Sequence, residues 1–251
     1  MTKSSAPRRR RIPVAAVIAI VLVAVVAAVE ITARMLVSTI AAQQVEGSLP
    51  PSVSARVKAN PTGWCVGCEV ISGTLSGLDL QSNPLEFEGM QGAVSLHASD
   101  VRFRGDAQAG QVTGSLELTE EQFNSAIDQL AADSGVQVKD VTLSDQGISY
   151  ETTLSAFGRS LTVAVTGSVH SRGDGQLQIR GENVSITSPG RPAGINLDPG
   201  RFTFRMCIAS QLPKELEITR VTTYEGRLEI LFRTKTPVPL DGTAFQTTGS
   251  C

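Results

Sequence analysis

Four consecutive arginines, Arg8 to Arg11, stand directly before an apolar run from Ile12 to Val29 that holds no ionisable side chain and is broken only by Pro13. As a helix the run spans roughly 27 Å at about 1.5 Å per residue, close to a hydrocarbon core of about 30 Å. Such a segment is a cleavable signal peptide or a signal anchor, and it decides the compartment in which everything after it folds. It exceeds the usual signal-peptide core of about 7–15 residues, which favours an anchor. Small residues at Ala24, Ala27 and Ala28 leave cleavage open, with a secreted product. The arginines stay cytoplasmic by the positive-inside rule, so a single-pass chain carries its domain outside the plasma membrane, in the periplasm or cell envelope. The expected organisation is a basic n-region at 1–11, the anchor or signal at 12–29, an amphipathic helix at 30–50 and an extracytoplasmic domain at 51–251. Ile31, Met35, Leu36, Ile40 and Ala41 supply the helical spacing for the third of these.

Charge follows the same division. The whole chain carries 22 basic and 24 acidic residues. Five of the basic ones lie before residue 30 and none of the acidic ones do, so the domain is acidic. That balance argues against a nucleic-acid partner, which selects a basic face. Two histidines, His97 and His170, exclude most histidine-based metal sites, and no cofactor or metal is expected.

Four cysteines in an exported chain read as two disulfides. Pairing Cys65 with Cys68, and Cys207 with Cys251, is the favoured arrangement; a long-range bond from Cys65 or Cys68 to Cys207 stays open. Trp64-Cys65-Val66-Gly67-Cys68 has the spacing of a thiol-disulfide oxidoreductase, which needs its first cysteine at a helix N-terminus. The segment from Glu69 to Leu80 reads instead as a strand, so redox catalysis by Cys65 and Cys68 ranks last. Trp64 suits a bilayer interface or a cover over the disulfide.

Beyond residue 50 the pattern is strand-like. Val53, Ala55, Val57 and Ala59 alternate, as do Val94 with Leu96 and Val101 with Phe103. Thr119 with Gln122 forms a capping box, and Phe123, Ile127, Leu130 and Ala131 fall on one helical face, ending near Ser134-Gly135. Strands are expected at Val136–Leu143, Ile148–Leu154 and Leu161–Val169, then at Leu177–Arg180 and Val184–Ile186. A short helix is expected at Arg205–Leu212, and a last hairpin turns at Tyr224-Glu225-Gly226. No nucleophile elbow, Walker loop or dinucleotide fingerprint is present. The histidines, and the acidic pairs Glu120/Glu121 and Glu86/Glu88, read as surface groups. The chain is not expected to be an enzyme.

Several elements in order carry a resemblance. Leu118-Thr119-Glu120-Glu121-Gln122-Phe123-Asn124 is a helix start of the LTEEALN kind. Cys207-Ile208-Ala209-Ser210-Gln211-Leu212-Pro213 is a C-x-x-x-x-LP element before the last hairpin, and Gly249-Ser250-Cys251 closes the chain. With the anchor and the strand order, the chain resembles the LmeA-like, phospholipid-binding family of actinobacterial envelope proteins, typified by the lipomannan elongation protein. Members carry a Pro-Phe-Leu-like stretch where this chain has Gly63 to Cys68. The resemblance implies an α+β fold: an elongated, curved antiparallel sheet wrapping one main helix, of tubular lipid-binding type, behind an N-terminal membrane helix. It implies a phospholipid partner, phosphatidylinositol-type lipids among the candidates, and support of lipomannan-type glycolipid assembly. Phe123, Ile127 and Leu130 are then candidates to line an apolar groove, with core packing as the plainer role. Phe157 and Leu161 flank a loop whose Arg159 can meet a phosphate bidentately. The alternative is a non-catalytic module that docks a membrane glycosyltransferase.

Overall fold

The computed structural model describes residues 14–49, 53–87, 90–125, 127, 138–156, 159–173, 175–187, 197–207, 209, 212–241 and 247–251. Helix α1 (Val14–Ser48) is continuous over 35 residues. Its side chains from Leu22 to Val29 are exposed, and the domain first touches it at Glu30. Beyond that point Ala33, Val37 and Ala41 form a stripe at helical spacing, partly buried against Val66, Leu75, Leu78, Ala98, Val101 and Ala109. The apolar run and the amphipathic segment are therefore one rod.

Strand β1 (Val53–Pro61) runs back along α1. The Val57 amide donates to Glu46 Oε1 at 2.7 Å. Farther down, Arg34 donates to the carbonyls of Pro61 at 3.1 Å and Gly63 at 2.6 Å. At the foot of this return stands a second helix, α2 (Val66–Ser72), where a strand was expected. Long-range hydrogen bonds explain the difference. Glu30 Oε1 accepts from the Val66 amide at 2.9 Å and Oε2 from the Gly67 amide at 3.0 Å, satisfying the free N–H groups of the first turn. Glu30 is itself held by Arg34 at 2.9 Å. At the other end Gly73 takes the left-handed conformation (φ 83°) and closes the helix onto Glu69 O.

The remaining strands are antiparallel and fall into two open sheets. The first sheet contains β1, β2 (Thr74–Phe87), β3 (Met90–Arg102), β4 (Gln108–Ala109) and β5 (Gln111–Thr119). The second contains β6 (Val138–Ser144), β7 (Gly147–Ala156), β8 (Arg159–Ser171), β9 (Gln176–Ile186) and β10 (Phe204–Cys207). The chain then returns to the first sheet with β11 (Leu216–Tyr224), β12 (Arg227–Thr234) and β13 (Val238–Pro239). The strand order is β1-β2-β3-β5-β12-β11 in the first sheet, with β4 paired to β3 and β13, and β10-β9-β8-β7-β6 in the second. Bulges between Ala55 and Val57, Ser82 and Leu85, and Ile218 and Arg220 bend the first sheet. The α+β fold with a curved antiparallel sheet holds, with the strands shared between two sheets.

Residues 205–207, expected to be helical, pair instead with β9, whose free edge offers them a ladder; a short 3-10 turn precedes them at Pro199–Phe202. The segments expected at 177–180 and 184–186 are one strand, β9. The capping box is present: the Thr119 amide donates to Gln122 Oε1 at 2.9 Å and the Gln122 amide to Thr119 Oγ1 at 3.3 Å. The helix it opens packs Phe123 and Ile127 into the main core with Leu143, Tyr150, Val163, Val165, Leu228 and Ile230. Its expected end near Ser134-Gly135 lies outside the described residues. Disulfides join Cys65 to Cys68 and Cys207 to Cys251.

Candidate functional site

Cross-strand partners point to the same side of a sheet, so the registers sort the first sheet into two faces. One transverse row reads Ala59, Leu80, Leu96, Gly114 and Phe232; the next reads Val57, Ser82, Val94, Leu116 and Ile230. On the reverse side the rows read Lys58, Gln81, Ser95, Ser115 and Leu231, then Asn60, Asp79, His97, Thr113 and Arg233. The sheet thus has an apolar face and a largely polar one. The apolar face is covered at one end by α1 and α2 and at the other by the main core. Leu80 packs against the first of these covers and Leu116 against the second, and between them Val94, Leu96 and Phe232 are only half-buried.

Glycine shapes this stretch. A methyl group at Gly114 would meet Leu96 Cδ2 at 2.6 Å and Phe232 Cζ at 2.7 Å. The bare backbone there lets both side chains lie flat over β5. At Gly92 the corresponding neighbours are Leu116 Cδ1 at 2.9 Å and Leu118 Cδ2 at 3.0 Å. An apolar strip of this kind suits an acyl chain, for which each methylene removed from water is worth about 0.8 kcal/mol.

The residues singled out from the sequence are spread over the molecule. Phe123 and Ile127 are 4% and 3% exposed and belong to the core that closes the distal end of the strip. Leu161 is half-buried on β8, opposite Leu154. Arg159 opens β8, paired with Ala156. Leu130 and Phe157 lie outside the described residues. The strip itself was missed as a site, although the alternation in β1, β3 and β5 was legible; which alternating set faces which requires the registers.

Three other polar groupings are accounted for locally. A cleft of about 540 Å³ is lined by Glu120, Thr142 to Gln146, Glu225 and Gly226. Two of its three carboxylates are engaged: Glu120 accepts from the Leu143 amide at 2.7 Å and Asp145 from the Glu225 amide at 3.2 Å. Its acidic rim repels a phosphate. On β8, Ser168 Oγ lies 2.9 Å from His170 Nε2 but donates to Glu182 Oε1 at 2.6 Å. The serine proton is committed to the carboxylate, which is not the relay that activates a nucleophile. His97 pairs with Asp79 at 2.6 Å on the exposed polar face. Among the described residues no cluster of three His, Cys, Asp or Glu side chains could hold a metal ion.

Cys65 stands at the N-cap of α2, as a redox cysteine would. Its surroundings oppose that chemistry. The Val66 and Gly67 amides are taken by the Glu30 carboxylate, whose negative charge disfavours a thiolate at this helix start, although the Cys68 amide donates to Cys65 Sγ at 3.3 Å. The bond reads as a structural clasp that closes the turn.

The model of the LmeA-like phospholipid-binding family matches residues 23–233, most of the chain. The match begins within α1 and ends in β12. No curated protein and no solved structure matches significantly.

Proposed function

The chain belongs to the LmeA-like phospholipid-binding family, and from that membership we propose that it holds phospholipid acyl chains on the half-covered apolar strip of its first sheet, outside the plasma membrane. The observation that carries this reading is the pair of mainly apolar rows across β1, β2, β3, β5 and β12, half-buried at Val94, Leu96 and Phe232 between two packed cores. Phe123 and Ile127 close the strip, and Leu161 adds an apolar side chain on the second sheet; Leu130 and Phe157 stay candidates from the sequence alone. Arg159 is the candidate partner for the headgroup phosphate. The protein acts by binding rather than catalysis, anchored by α1 as a single-pass membrane protein. It supports assembly of envelope glycolipids of the lipomannan type, and a phosphatidylinositol-type lipid fits that role.

The test is native mass spectrometry of the full-length chain released from membranes, followed by lipid extraction. Near-stoichiometric phospholipid is expected, and Leu96→Glu, which places a charge on the strip, is expected to lower loading about tenfold. Full-length protein that is empty and takes up no added phospholipid overturns the reading.

A second reading, docking of a membrane glycosyltransferase without bound lipid, is favoured by one feature. Ile31, Met35, Leu36 and Ile40 are all more than half exposed on the side of α1 turned from the sheet, where a partner helix can pack. Empty protein that cross-links to an enzyme through Met35 supports it.

A further inference from the structure

The topology gathers one set of exposed apolar side chains at a single end of the molecule. β1 descends along α1 and reaches residue 61 at the level of Arg34. The chain then passes through α2 and climbs again in β2, while β3 descends to Arg102 opposite Thr74. The turn after β3 is tied to α2: the Phe103 amide donates to Gly73 O at 3.1 Å and Arg104 Nη1 to Ile71 O at 2.7 Å. This end carries Trp64 at 94% exposure, Ile71 at 76% and Phe103 at 40%, beside exposed Arg102 and Arg104. Three large apolar side chains from two separate segments thus share one tip with two cations.

The level of that tip along α1 is fixed. Glu30 binds the first two amides of α2, and a Cβ at Gly67 would lie 3.9 Å from both Val29 Cγ1 and Ala33 Cβ. Glu30 is also the first ionisable residue after the apolar run. From Val14 to Val29 the helix rises about 24 Å, so Glu30 stands close to where a hydrocarbon core of about 30 Å gives way to headgroups. Tryptophan is favoured at that depth, and arginine there can meet lipid phosphates.

We propose that α2 and the turn after β3 form a foot seated in the outer surface of the bilayer, with Trp64, Ile71 and Phe103 inserted at headgroup level and Arg102 and Arg104 against lipid phosphates. The occupant of this apolar tip is the membrane, because the tip adjoins the point where the membrane helix leaves it. The foot rests on the reading of α1 as a membrane anchor. It sets the covered end of the apolar strip at the lipid surface, with the core under α1 and α2 between the leaflet and the half-buried part of the strip.

Trp64 is the sole tryptophan and therefore reports on the foot directly. The full-length protein is reconstituted into vesicles of phosphatidylcholine and phosphatidylglycerol, with stable insertion checked by resistance to alkaline extraction. The expected result is blue-shifted Trp64 emission, quenching by lipids brominated near the glycerol end of the chain, and acrylamide quenching reduced about threefold relative to the free indole. Ile71→Ser with Phe103→Ser, both at exposed positions, is expected to restore most of the acrylamide quenching. Inserted protein whose Trp64 stays fully open to acrylamide and untouched by bromolipid overturns the proposal. So does Trp64 that is shielded from acrylamide yet insensitive to bromolipid, which points to a protein contact instead. Lipid loading measured on the same sample separates the cases: loaded protein with a solvated Trp64 sinks the foot alone, and empty protein with a lipid-quenched Trp64 sinks the lipid-binding reading alone.

Discussion

Asn124 joins a helix to a strand with the two atoms of its amide. Nδ2 donates to the Val141 carbonyl at 2.8 Å, and Oδ1 accepts from the Val141 amide at 2.9 Å, so the side chain takes the place of a neighbouring strand on β6. Val141 is 2% exposed, and no water replaces the lost bonds without an opening. Asn124→Ala is therefore expected to cost about 2–3 kcal/mol, measured by urea unfolding. Tyr150 is a second buried polar contact. Its hydroxyl donates to Phe202 O at 3.2 Å and its ring meets Phe204 edge-on. Burial pushes its pKa up to about 12. The unfolded chain releases this proton near pH 10 and the folded chain only near 12, so the folded state binds more protons between them. The contribution is complete below pH 10 and is lost as pH rises toward 12, by about 2 kcal/mol. Tyr150→Phe should flatten that part of the stability profile in alkaline unfolding experiments.

Elements were legible where their cause is local. The capping box at Thr119 and Gln122 lies within four residues, and the turn at Asp145-Gln146 with Gly147 (φ 130°) needs no distant partner. α2 was not legible, because its first amides are satisfied by Glu30, 36 residues earlier in the chain. β10 was misread for the same reason: local composition allows a turn of helix, and the edge of β9 decides otherwise. The disulfides act at this scale too. Cys207–Cys251 closes a loop of 44 residues around the β11–β12 hairpin, which pairs with β5 and packs against the second sheet. The chain-entropy estimate for such a loop is about 4 kcal/mol. Cys251→Ser should lower stability by about 2–4 kcal/mol, and Cys68→Ser, which opens a separation of only 3, by clearly less. Thermal unfolding of the two variants side by side checks the order.

At the scale of the whole molecule, the long apolar N-terminal helix and the strand-rich body were legible from charge, hydropathy and alternation. The division into two sheets and the matching of apolar rows across five strands were not, because a register slip of one residue exchanges the faces without changing composition. The junction of helix and body carries a further consequence. Arg34, Glu30 and Glu46 bind the body along 17 residues of one continuous helix, and no linker intervenes between its apolar N-terminal part and the domain. With α1 uncut, the domain is mounted on a mast rather than leashed, with a fixed height and a fixed heading. A leashed domain explores a volume above its attachment point; a mast-mounted one holds its apolar strip at one height and turned one way.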